Sequence, residues 1–240
     1  MYNFPPSLIL GPRRRNLGMV TPEELIMYLI DINLRGDVLI HLNKLIKQMG
    51  ENCIDLALEL WNSFNTVYIL LQEVTAVYQR FSTSTLTMEE STRVRNALAV
   101  LQCMASHPEA RWGLIKANIP HYLYPFIQIS TNEKPLEFVR PGSLDLIGAL
   151  AKFDDQYGPE ILNFFLDTQL FPRCLHCMDH GDKLTGKVRP AYNLIFCRNI
   201  SFSSSMRVVF RYNDKYTCDL SSEMLILCPT SIHVVHMKTF

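Results

Sequence analysis

ASHPEARWGLIKANIPHYLYPFI, Ala105 to Ile127, is the stretch that decides the fold. His107 stands before Pro108, and proline suits a first helical position because the amide it lacks would have had no partner there. Glu109 adds negative charge at the positive end of the helix dipole. Asn118 ends that short helix, and Pro120 opens another whose Leu123, Phe126 and Ile127 face inward. Upstream, NALAVLQCMA (Asn96 to Ala105) sets Ala97, Leu98, Leu101 and Met104 at helical spacing, with small or apolar Ala99, Val100 and Cys103 between them. That helix is predicted to be buried nearly all round. Three helices in about 35 residues outline an armadillo unit.

The unit recurs in IGALAKFDDQYGPEILNFFLDTQLFPRCLHCM, where Ala149-Leu150 corresponds to Ala97-Leu98 and Phe171-Pro172 to Ile119-Pro120, both at an offset of 52 residues. This exceeds the roughly 40 to 47 residues usual for the class, so an insertion is expected, with Gln128 to Pro135 as its place. The fold class read from the chain is all-α: an armadillo-repeat, right-handed superhelical solenoid with a divergent C-terminal segment. Residues 1–20 are expected as a flexible arm and 21–188 as the repeat domain. Residues 189–240 are expected as a degenerate last repeat or a poorly ordered segment. Within them SMRVVFRYNDKYTCDL alternates around Asn213-Asp214, which suits either a hairpin or a degenerate helical repeat.

The N-terminal half is helical too. Thr21-Pro22-Glu23-Glu24 is a capping box, and Thr87 with Glu90 is another. Val38, Leu42, Leu45, Ile46 and Met49 form one apolar face before Gly50. In WNSFNTVYILLQEVTAVY, Val67, Leu71, Val74 and Tyr78 are expected in the core, with Tyr68, Gln72 and Thr75 on a second face that is either solvated or a docking strip.

The 240 residues carry 23 basic and 23 acidic side chains, so no global field steers nucleic acid or membrane. Arg13-Arg14-Arg15 reads as a solvated arm. No signal peptide or membrane span is legible, and the seven cysteines are expected to be reduced, in an intracellular chain. Cys174, His176, Cys177 and His180, with His233 and His236, have zinc-ligand chemistry. However, Cys174 and Cys177 fall where a repeat helix needs apolar residues, so no metal and no cofactor is expected. GxSxG, HExxH, GxGxxG and GxxxxGK[ST] are absent, and Asp154-Asp155 read as a loop or helix start. The expectation is a binding scaffold, not an enzyme.

LELWNSFNTVYILLQEV, TLTMEESTRVRNALAVLQCMASHPEARWGLIKANIPHYLYPFI and PLEFVRPGSLDLIGALAKFD also carry a family resemblance. From about Pro22 to about Val188 the chain resembles the "required for cell differentiation one" family, the armadillo subunit of the CCR-NOT deadenylase complex. The resemblance implies a non-catalytic adaptor that docks on the complex's large scaffold subunit and binds short peptides from RNA-binding and silencing proteins. Such an adaptor supports deadenylation, mRNA decay and translational repression in cytoplasm, P-bodies and nucleus. The alternative is a diverged paralogue that has lost the complex and binds nucleic acid or a tissue-specific partner. Weak nucleic-acid binding and homodimerisation complete the partner expectations.

Carried over residue by residue, the family's scaffold-binding positions match Asn62, Phe64, Tyr68 and Thr75, where the family has histidine, phenylalanine, alanine and valine. The peptide groove matches Phe138, Asp145 and Val188, with the family's glycine replaced by Asp145. Arg93 and Arg111, near the starts of repeat helices, are further candidates for that surface, their competing reading being solvated arginines. Pro141-Gly142 falls inside a family helix and Pro190 follows Val188, so both helices are expected to kink or restart.

Overall fold

A computed structural model of the chain describes residues 20–128, 133–152, 155–168, 207–209, 224–228 and 231–235. The first part is wholly helical: α1 (Pro22–Tyr28), α2 (Arg35–Met49), α3 (Ile54–Asn62), α4 (Thr66–Thr75), α5 (Tyr78–Thr83), α6 (Met88–Met104), α7 (Pro108–Lys116), α8 (Tyr124–Gln128), α9 (Lys134–Leu150) and α10 (Gly158–Asp167). Both capping boxes close. Thr21 Oγ1 accepts from the Glu24 amide at 3.4 Å and Thr87 Oγ1 from the Glu90 amide at 3.2 Å, while each glutamate accepts from its threonine amide in return. Two 3-10 turns complete the path: Gly50–Cys53, entered at φ 55, and Ile119–Leu123, entered through Asn118 at φ 56.

The hub is α6, which packs against α2, α3, α4 and α9. Val94, Ala97, Leu98, Val100, Leu101, Cys103 and Met104 are buried along it, as its composition required. Next to it, α7 packs on α3, α9 and α10. Helix stacked on neighbouring helix in this order is the armadillo-like solenoid architecture, in which each unit is stabilised by its neighbours. Among the described residues no helix is long and apolar enough to cross a membrane.

Three sequence expectations need correction. First, α6 and α9 are both 17 residues long and start 46 residues apart, at Met88 and Lys134, whereas α7 and α10 start 50 apart. Ala149-Leu150 therefore closes α9 rather than matching mid-helix Ala97-Leu98, and the added residues follow α9 instead of occupying Gln128 to Pro135. Leu98, Leu101 and Met104 correspond to Leu144, Ile147 and Leu150, and all six are buried.

Second, α9 does not restart at Pro141 but runs unbroken through it. The lost hydrogen bond costs about 3 kcal/mol. Leu136 and Val139 before the proline, and Leu144, Ile147 and Leu150 after it, are all buried, and each contributes about 1.5–3 kcal/mol. Core burial on both sides outweighs the break. Pro190 lies outside the described residues.

Third, the core face of α4 is Thr66, Ile69, Leu70, Glu73 and Val74, leaving Val67, Leu71 and Tyr78 half-buried. A buried glutamate turns the helix. Glu73 accepts from Arg35 Nη1 of α2 at 3.0 Å and from Arg93 Nε and Nη2 of α6 at 3.1 and 3.0 Å.

Of the two alternatives for SMRVVFRYNDKYTCDL, its described part, Arg207–Val209, takes the β form. Arg207–Val209, Met224–Cys228 and Ser231–Val235 form a three-stranded antiparallel sheet in that order, as β1, β2 and β3. Arg207 pairs with Leu227, and Asn213-Asp214 lie outside the described residues.

Candidate functional site

The expected scaffold strip lies where α3 turns into α4. Ser63 to Asn65 make the turn, with Asn65 in the left-handed region at φ 64, a conformation asparagine tolerates. This turn leaves Phe64 outside the core, and its side chain is 83% exposed. Tyr68, one turn into α4, is 60% exposed, and Asn62 and Gln72 are exposed beside this helix junction. Tyr68, Gln72 and Thr75 share one face of α4 by helical spacing, opposite Leu70 and Val74. Thr75 is half-buried and its hydroxyl donates to the Leu71 carbonyl at 2.8 Å, so it offers bulk rather than a free hydrogen bond.

Gln72 ties this strip to the interior. Its side-chain oxygen accepts from Arg35 Nη1 at 3.5 Å, and that guanidinium also holds Glu73.

The expected peptide groove lies on α9 against α6. Phe138, Gly142 and Asp145 follow one another at helical spacing and are partly exposed. The Arg95 guanidinium of α6 sits 4.4 Å above the Phe138 ring centre. A Cβ on Gly142 would meet Arg95 Cγ at 3.6 Å, so the arginine stem crosses this glycine. Burial pushes the Asp145 carboxyl above its ordinary range, and the positive charge of Arg95 draws it partly back. Arg95 was missed by the sequence reading, although its spacing with Ala99 and Gln102 marks the one outward edge of an otherwise buried helix.

The remaining candidates divide. Arg93 is ion-paired to Glu73 with a side chain 39% exposed, so it serves the interior first. Arg111 is neither a groove residue nor a solvated arginine. Only 2% exposed, it donates to the Ala105 carbonyl at 2.9 Å and pairs with Asp155, linking α7 to the loop before α10. An arginine at this depth is a structural tie. Val188, like Asp154, Cys174, His176, Cys177, His180 and His236, lies outside the described residues, and of His233 only the backbone in β3 is described.

Comparison with known proteins places the chain in a family. A family model for the "Cell differentiation family, Rcd1-like" matches residues 25–191. The chain is 42% identical over 165 residues to "Cell differentiation protein rcd1" of Schizosaccharomyces pombe, covering 69% of this chain and 56% of that protein. It is 40% identical over 134 residues to "Protein CAF40" of Saccharomyces cerevisiae, covering 56% of this chain and 35% of that protein. The matches thus span about half and about a third of those relatives' lengths. With the helical stack and the family match over residues 25–191, the chain belongs to the Rcd1-like cell differentiation family.

Proposed function

We propose that the protein is a non-enzymatic adaptor subunit of the CCR-NOT complex that docks on the large scaffold subunit through the α3–α4 strip. The observation that carries this reading is Phe64, the aromatic that the resemblance retains at this strip, 83% exposed at the turn between α3 and α4. Exposed aromatics cost solvation unless a partner covers them, and aromatics anchor protein interfaces. The resemblance carries docking to Asn62, Phe64, Tyr68 and Thr75. Co-purification of the large scaffold subunit with the tagged chain tests it, and its absence while a different partner is retained favours the diverged paralogue.

A second contact of the same adaptor is a short amphipathic or aromatic-containing peptide on the groove of Phe138, Asp145 and Val188. Val188→Glu is expected to abolish that binding with helicity by circular dichroism unchanged, since a carboxylate against apolar anchors costs several kcal/mol. Through these contacts the protein supports mRNA deadenylation, decay and translational repression, in cytoplasm, P-bodies and nucleus. Fluorescence imaging of the tagged chain beside P-body markers checks the location.

A further inference from the structure

We infer that Arg95 determines the specificity of the α6–α9 groove by reading a carboxylate side chain that flanks the apolar anchor of a bound peptide. This rests on the groove reading above and names the chemistry of its ligand. Among the described residues, Arg35 and Arg93 are ion-paired to Glu73, Arg80 to Glu90 and Arg111 to Asp155, while Arg140 donates to the Phe126 carbonyl. Arg95 differs: it is exposed, and no described carboxylate lies within 4.0 Å of its nitrogens.

Yet Arg95 is held in place. Its stem lies across Gly142 and its guanidinium stands 4.4 Å over the Phe138 ring. With the ring on one side of it, the guanidinium donates no hydrogen bond to a described residue, and its planar fork of N–H groups suits bidentate capture of a carboxylate. A side chain already ordered by stacking loses less conformational freedom on binding. The surroundings, with Phe138, Gly142 and Ala99 partly exposed beside it, are apolar enough to strengthen a charge-assisted bond over one in bulk water. Asp145, further along the same face of α9, repels a second carboxylate and so gives the ligand a direction. The occupant is a short peptide in which an apolar or aromatic residue meets Phe138 and a neighbouring Asp or Glu meets Arg95.

Random short peptides displayed on phage are selected against the full-length protein, and recovered sequences are labelled with fluorescein and titrated by anisotropy. Acidic residues beside an apolar anchor are expected to be enriched. Binding should fall about tenfold in Arg95→Gln, be partly kept in Arg95→Lys, weaken with salt, and be lost in Phe138→Ala. Selection against Arg95→Glu should recover basic peptides instead. Peptides that need Phe138 but bind Arg95→Gln as well as the parent, with no acidic enrichment, overturn this inference and leave the groove standing. Recovery of no peptide, or of peptides indifferent to Phe138, overturns both.

Discussion

The indole of Trp61 rests on the backbone of Gly113: a Cβ at position 113 would overlap Cζ2 and Cη2 of that ring. Glycine inside a helix costs about 1 kcal/mol relative to alanine. Here it admits the close approach of α3 to α7, the join between the strip-bearing helices and the repeat. Gly113→Ala is expected to destabilise the protein by about 1–3 kcal/mol in urea unfolding, because overpacking exceeds the propensity gain. In a Trp61→Leu background the same substitution should become neutral or stabilising. Equal effects in both backgrounds would refute the contact.

Glu73 should be the costliest single ion to neutralise. It is 8% exposed and serves two arginines, one of them, Arg35, also buried. Glu73→Gln leaves Arg35 uncompensated and is expected to cost about 3–5 kcal/mol. Arg93→Met should cost much less, because that side chain is 39% exposed and can be replaced by water. Chemical denaturation of the two variants in parallel checks the order.

Stability should carry a pH signature from Asp145. Burial raises its carboxyl above the ordinary 3.8, with Arg95 opposing. A carboxyl raised by folding contributes fully below its unfolded value, and that contribution is lost as pH rises through the folded value. Asp145→Asn is therefore expected to be more stable than the parent at neutral pH, with the difference vanishing below about 3.8. Urea midpoints across acidic and neutral pH measure this, and a constant difference would contradict it.

Cys103 should be chemically silent in the folded protein. It is 4% exposed, and its thiol is pushed up to about 12, chiefly by burial and further by neighbouring Cys53. Since the thiolate is the reactive form, iodoacetamide near pH 8 should leave Cys103 unlabelled until denaturant is added. Peptide mass spectrometry reads the site directly.

Tyr68 tests the docking strip. The resemblance places a small alanine there, and the 60% exposed phenol adds bulk where another helix would approach. Tyr68→Ala is expected to strengthen binding of purified scaffold by about 1–3 kcal/mol by removing a misfit. Unchanged or weaker pull-down would mean that the contact has been rebuilt around the tyrosine.

Helix starts were legible in the chain because capping is local. Thr21 with Glu24 and Thr87 with Glu90 satisfy amides three residues away, and Pro108 and Asn118 act within one turn. The buried character of the second half of α6 was legible from composition, since Ala97, Leu98, Val100, Leu101, Cys103 and Met104 are small or apolar. The strip was visible as a second face of α4, but its core face was not, because Glu73 is drawn inward by Arg35 and Arg93 from 38 and 20 residues away. Periodicity counts a glutamate as surface; only its partners can bury it. Arg111 was misplaced likewise, its charge being met by Asp155 across a 44-residue separation. Arg95 acquired its place over Phe138, and Gly113 its need for glycine, from helices distant in sequence. The amino-acid order thus determined which segments are helical and where they begin, through contacts within a few residues. Which charges are interior, and which arginine is left to meet a partner, was decided by packing between helices, where the pairing and desolvation energies arise.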